Sequence, residues 1–349
     1  MKKTFIVCLV VLLTVFTQIS PCALGADDVI AEAGGVREEM PSSLIAHGIS
    51  LIFSAFSGSG KGVIANCAAI LALCVVSAIT ASFKNSFPPL GTAGEYISIL
   101  ALSGAVFGAV NSVVALVEQA TLRFVQYLLT LLPVMTAMYA YGGSNSAAIS
   151  SATSVNLFCT VITVICNTVL TPLVNICLTL SLTSALPGCG NIHPISNGIK
   201  NLSSSLTAFV FSILGFAVSV QTVISAAGET YATRTIRFAS GVFIPVIGSM
   251  VGEASRTILA SVKQAKSVIG SGGIIAVITL MIPPVTVVVL YKMGILLCAS
   301  AAKMMGCEKE SAFLYDINGI FGILLAVTVG STLVGLLAIT VFVCTGAAV

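Results

Sequence analysis

Long uninterrupted apolar runs dominate this chain, separated by short polar breaks. They cover residues 63–82, 96–117, 124–141, 155–182, 206–228, 273–298 and 320–345. Each is near or above the roughly 20 residues a helix needs to cross hydrocarbon. Membrane barrels also satisfy their backbone in lipid, but their strands alternate apolar and polar residues. Here the runs are continuous. The pattern therefore predicts an all-α fold, a polytopic transmembrane helical bundle of about seven spans.

The flanks carry different patterns. Residues 1–26 have a basic start (Lys2, Lys3), an apolar stretch from Phe5 to Ile19 and a small-residue end, Cys22-Ala23-Leu24-Gly25-Ala26. That is a secretory signal peptide, expected to be cleaved. Residues 27–62 form an exported segment with an acidic start. In it Ile45, Ile49, Ile52, Phe53 and Phe56 fall opposite Ser43, His47, Ser50 and Ser54. This helical period, too short to span, predicts an amphipathic helix lying on the membrane.

Residues 63–349 hold the transmembrane bundle, interrupted by the basic segment 229–272. There Arg234, Arg237, Arg256, Lys263 and Lys266 outweigh Glu229 and Glu253. Ile258, Val262, Ala265 and Ile269 line the opposite face of a second expected interfacial helix. An exported N-terminus and seven crossings put this segment and the C-terminus in the cytoplasm, where Lys and Arg concentrate. The basic residues are candidates for contact with partners or anionic lipid.

Composition sharpens the picture. The chain of 349 residues is 57% hydrophobic and only 8% charged, whereas a soluble domain carries about 25% charge. A water-exposed surface cannot be covered that way, so the lipid bilayer is the expected surrounding. A net charge of +3 gives no sign of nucleic-acid binding. Most of the eleven cysteines lie inside apolar runs, where they act as small hydrophobes. Two histidines and no Cys-x-x-Cys give no metal spacing, and no cofactor is expected. The stretch Ser57-Gly58-Ser59-Gly60-Lys61-Gly62 fails as a phosphate loop, because Ala55 stands where its first glycine should be and Gly62 replaces the Ser or Thr. His47 and His193 assemble no triad, so no enzyme is expected.

Pro133, Pro172 and the pair Pro283 and Pro284 fall within spans and are candidate helix breaks. Asn111, Asn167, Asn175 and Gln221 bring amides to membrane depth. Such breaks build substrate sites in transporters, but they also serve as kinks and interhelical glue. No charged residue is expected beside them. Glu118 and Arg123 are expected in a tight turn between the second and third spans. Lys292 is expected near the end of the sixth span, its amine snorkelling to the interface. Cys189 and Cys307, the mature-chain cysteines in loops, are a possible disulfide on the exported side.

Two stretches carry a resemblance. One runs Thr233-Arg234-Thr235-Ile236-Arg237-Phe238-Ala239-Ser240-Gly241 into Phe243-Ile244-Pro245-Val246-Ile247-Gly248. The other is Leu132-Pro133 followed by Gly142-Gly143 and Ser146-Ala147-Ala148. Both resemble the stage III sporulation protein AE family, and the likeness extends over about residues 40–349. The resemblance implies a membrane subunit of the channel or secretion-like complex joining mother cell and forespore. Its partners would be the other membrane subunits and a separate ATPase, and its place the mother-cell membrane facing the forespore. No catalytic residues come with it. The rival reading is a stand-alone secondary transporter, which would favour buried charges at span centres.

Overall fold

The computed structural model describes residues 40–82, 88–141, 145–186, 195–196, 198–220 and 248–344. Seven α-helices and one π-helical turn follow in order. They are α1 (Met40–Ser82), α2 (Pro88–Tyr141), α3 (Asn145–Val164), the π turn (Ile165–Leu170), α4 (Thr171–Ala185), α5 (Gly198–Val220), α6 (Gly248–Met304) and α7 (Glu308–Cys344). No strand occurs among the described residues. Among the described residues six stretches are long and apolar enough to cross a membrane: Gly60–Ala81, Ala93–Tyr141, Ala148–Ala185, Gly198–Val220, Ala260–Met304 and Glu308–Val343. The chain is an all-α, multi-pass bundle, as its apolar runs imply.

Three expected breaks are absent. In α2 the reason is local: a charge alone does not end a helix, whereas a cap, a glycine or a proline can. Between residues 109 and 132 there is no Gly or Pro, so α2 runs straight through Glu118 and Arg123 where a turn was expected. Its 54 residues measure about 81 Å at 1.5 Å per residue, far more than the roughly 30 Å of hydrocarbon. The expected interfacial helix at 252–269 is likewise the first half of α6, whose 57 residues run unbroken through Pro283 and Pro284. The amphipathic stretch at 45–56 continues into the first span as α1.

Among the described residues, the start of α1, the end of α2, the start of α3, the end of α5, the start of α6 and the end of α7 lie at one end of the bundle. The end of α1, the start of α2, the end of α4, the start of α5 and the α6–α7 turn lie at the other, called here the hairpin end.

The α6–α7 pair is the centre of the bundle. Toward the hairpin end, Leu314, Ile317, Phe321 and Leu324 of α7 are buried with Ile70 and Cys74 of α1, Ile99 and Val106 of α2, and Ile295 of α6. Tyr291 stacks on Phe321 with centroids 5.7 Å apart. Farther down, Phe124 of α2 meets Phe158 of α3 edge-on at 6.3 Å. Gly335 lets α7 approach there, since a Cβ at that position would run into the Phe124 ring. The α6–α7 turn is built by Gly306 at φ 81°. Cys307 N–H bonds Ala302 O at 3.0 Å and Gly306 N–H bonds Lys303 O at 3.1 Å. This pair of bonds satisfies the last carbonyls of α6, as in other helices ending on a left-handed glycine. Lys303 on one side of the turn, and Glu308 and Glu310 on the other, match the signs of the two helix dipoles.

Candidate functional site

The hairpin end gathers polar side chains from almost every helix. Lys200, one turn into α5, places its Nζ 3.1 Å from Asp316 Oδ1 of α7, with both side chains under 10% exposed. The same amine donates to Ser181 Oγ of α4 at 3.0 Å. Three helices thus converge on one ammonium. A buried charge costs several kcal/mol of hydration unless it is paired and hydrogen-bonded; here it is both. Nearby, Ser77 of α1 hydrogen-bonds the Glu310 carboxylate of α7. Lys309 bonds Glu95 of α2 at 2.8 Å, partly in the open.

These residues border a cleft of about 300 Å³, lined by Ser77, Thr80, Glu95, Cys307, Lys309 and Glu310 among others. Cys307 is a free, buried thiol. Its Sγ lies 3.8 Å from the Cys74 carbonyl oxygen. Burial and the neighbouring Glu310 charge push its pKa up, and the Ser77 hydroxyl pulls the other way. The thiol therefore stays protonated and is a poor nucleophile. Cys189, its candidate disulfide partner, lies outside the described residues. Among the described residues no three His, Cys, Asp or Glu side chains converge as metal ligands.

The second polar locus is the π turn. Pro172 sits at the start of α4, where its missing N–H would otherwise leave an α-helical carbonyl unpaired. The wider turn at 165–170 is the backbone's response, and such turns mark functional positions more often than chance. Contrary to the expectation that no charge lies beside the breaks, Thr171 hydrogen-bonds the Glu118 carboxylate of α2. Sequence spacing could not show this, because Glu118 and Thr171 are 53 residues apart. Pro133 is exposed inside an unbroken α2 and Pro283 and Pro284 are inside an unbroken α6.

The expected basic surface is only partly in view. Arg234 and Arg237 lie outside the described residues. Arg256 and Lys263 stand on α6. Lys266 is buried, its Nζ 4.3 Å from the centroid of the Tyr139 ring. Lys292 is not near a span end: α6 continues to Met304, and a Cβ at Gly322 of α7 would lie 3.5 Å from its Nζ. Gln221 and His193 also lie outside the described residues. Lys200 and Asp316 were not singled out in the sequence; each reads as a loop charge until the helices bring them together.

The family model for stage III sporulation protein AE matches residues 36–346 of this chain. A stretch of 149 residues is 29% identical to the stage III sporulation protein AE of Bacillus subtilis (strain 168), covering 42% of this chain and 37% of that protein. No solved structure matches.

Proposed function

Because the chain belongs to the stage III sporulation protein AE family, we propose that it is a membrane subunit of a channel or secretion-like complex linking mother cell and forespore. The observation that carries this reading is the match along nearly the whole described bundle, on a chain that is itself multi-pass. On this reading the chain catalyses no reaction. Energy comes from a separate ATPase, and the other membrane subunits are its partners. Its place is the mother-cell membrane facing the forespore. A clean deletion is expected to abolish heat-resistant spores while leaving vegetative growth normal. Normal spore yield from that strain would overturn the reading.

The basic end of the bundle is the cytoplasmic one on this reading, because Lys and Arg flanking spans are retained inside. A leader that delivered residue 27 outside would assign the same end to the exported side. Alkaline phosphatase fused within the 305–307 turn is expected to be active, and an inactive fusion with an active one at the C-terminus would reverse the assignment.

A stand-alone secondary transporter is the second reading, favoured by one observation. Glu118 meets Thr171 at the π turn, and an ionisable group beside a broken helix is how such proteins build ion or substrate sites. Purified chain transporting solute by itself in liposomes would support it over the first.

A further inference from the structure

Glu118 is a carboxylate in the middle of the membrane. Phe124 of α2 fills the notch at Gly335 of α7, and a Cβ on Gly215 of α5 would lie 4.0 Å from the neighbouring Val334. Phe124 and Gly215 therefore share a level. Glu118 stands six residues back toward the hairpin end, about 9 Å. α5 has only 23 residues, about 34 Å, and needs nearly all of them to cross roughly 30 Å of hydrocarbon. Six residues back from Gly215 is the middle of that helix, a depth from which a glutamate side chain does not reach water. An ionised group so placed needs a counter-charge. Among the described residues Glu118 has none: its partner is the Thr171 hydroxyl, and no lysine or arginine pairs with it. Arg123, five residues on, is exposed and well round the helix. The buried Cys166 thiol beside Glu118 in the π turn brings no positive charge.

The π turn adds oxygen rather than charge. Thr163 and Thr179, on either side of it, donate to the carbonyl four residues back, at 2.7 and 2.8 Å. Thr171 donates to Glu118 instead, and Pro172 has no N–H to give. The wider turn shifts that deficit between the carbonyls of Thr168 and Asn167, four and five residues before Pro172, but does not remove it. Among the described residues no side chain donates to either carbonyl. A helical carbonyl points along the axis at the residue four on, here Thr171 or Pro172. The oxygens of Glu118, Thr171 and the orphan carbonyl thus face one another with lone pairs and too few donors between them.

We propose that Glu118, Thr171 and the carbonyl freed by Pro172 hold a small monovalent cation of the sodium type. An all-oxygen ligand set suits a hard cation. A broken helix that offers its carbonyls at membrane depth is how membrane proteins make such sites. One carboxylate balances one positive charge, whereas a divalent ion would leave net charge in hydrocarbon. A proton on Glu118 would neutralise it but leave the carbonyl unmatched. The proposal names the ion for the site on which the transporter reading rests, and it holds equally for a channel subunit.

The test is modification of the full chain in membranes by dicyclohexylcarbodiimide, an apolar reagent that attaches to protonated carboxyls. In choline chloride free of sodium, mass spectrometry is expected to find an adduct at Glu118. Sodium chloride at equal ionic strength should slow its formation at least tenfold, and E118Q should lack it. An adduct that forms equally fast in both buffers would mean that a proton alone occupies the site, and would overturn the proposal. No adduct in either buffer would overturn it too. T171V is expected to keep the adduct and lose most of the sodium protection; full protection in that variant would contradict the ligand set. Liposomes separate the readings. If the purified chain moves no solute while sodium still protects Glu118, the transporter reading fails and the site stands. If it moves solute and sodium gives no protection, the site fails and that reading stands.

Discussion

The two ends of the bundle hold their helices by different means. At the hairpin end the helices are tied by polar pairs: Lys200 with Asp316 and Ser181, Ser77 with Glu310, and Lys309 with Glu95. At the opposite end they are fitted by volume. Tyr139 of α2 meets Phe342 of α7 edge-on at 5.4 Å, and α6 brings Gly270 and Gly273 against Val343 and Ile339. In lipid no hydrophobic force drives helices together, so packing and hydrogen bonds must do it. Polar pairs fix which helices meet and in what register. Glycine notches fix how closely they meet.

Variants that break an ion pair should therefore act at the hairpin end and variants that add volume at the other, where Lys266 meets a ring rather than a carboxylate. The largest effect is expected for Asp316→Ala, which strands the Lys200 ammonium in the interior. A loss of about 3–5 kcal/mol is expected on breaking one partner of such a pair. It should appear in thermal unfolding of the detergent-solubilised chain. The apolar double variant Lys200→Met/Asp316→Leu should recover most of it. A double variant as unstable as the single one would show that the pair is not the unit.

Gly335→Leu comes next. Its side chain must displace the Phe124 ring, and overpacking of this kind costs about 1–3 kcal/mol. Phe124→Ala combined with it should relieve part of that loss, whereas strictly additive effects would mean that the two sites do not touch. Lys266→Gln removes a buried cation from the face of Tyr139. A loss of about 1 kcal/mol is expected, smaller in a Tyr139→Leu background if the ring is the partner. The smallest effect belongs to Glu95→Ala. Its bond to Lys309 is partly open to solvent, and such pairs contribute about 0–1 kcal/mol. Added salt should erase the difference between that variant and the parent.

The class of fold was legible because hydropathy dictates it: continuous apolar runs must be helices in lipid. The breaks were less legible. Glu118 and Arg123 look like a turn only when a charge is taken to end a helix, and in α2 two charges ride through without a glycine or proline beside them. The joins in α1 and α6 were missed for the opposite reason: Gly58, Gly60 and Gly62, and Gly270, Gly272 and Gly273, look like breaks in the sequence but are carried inside continuous helices. Pro172 was singled out as a break and stands beside the π turn, while Pro133, Pro283 and Pro284 are accommodated inside long helices. The Lys200–Asp316 pair was not legible at all. Its members are 116 positions apart in the chain, each beside a connecting segment, and only the packing of α4, α5 and α7 brings them together. Asn167 and Asn175 stood out in the sequence as amides at depth, but that both are exposed needed the packing of α3 and α4 against the core to show.

Both ends exist as described only if each long helix runs unbroken between them, and α2 is where the chain most invites a turn. Spin labels at positions 111 and 130, both exposed, test this by double electron–electron resonance. Nineteen residues of continuous helix put the two positions roughly 28 Å apart. A turn at 118–123 would fold the halves antiparallel and bring them to roughly the 8–10 Å of neighbouring helix axes. A distance distribution centred near 28 Å is the predicted result; one centred below about 15 Å would contradict the account.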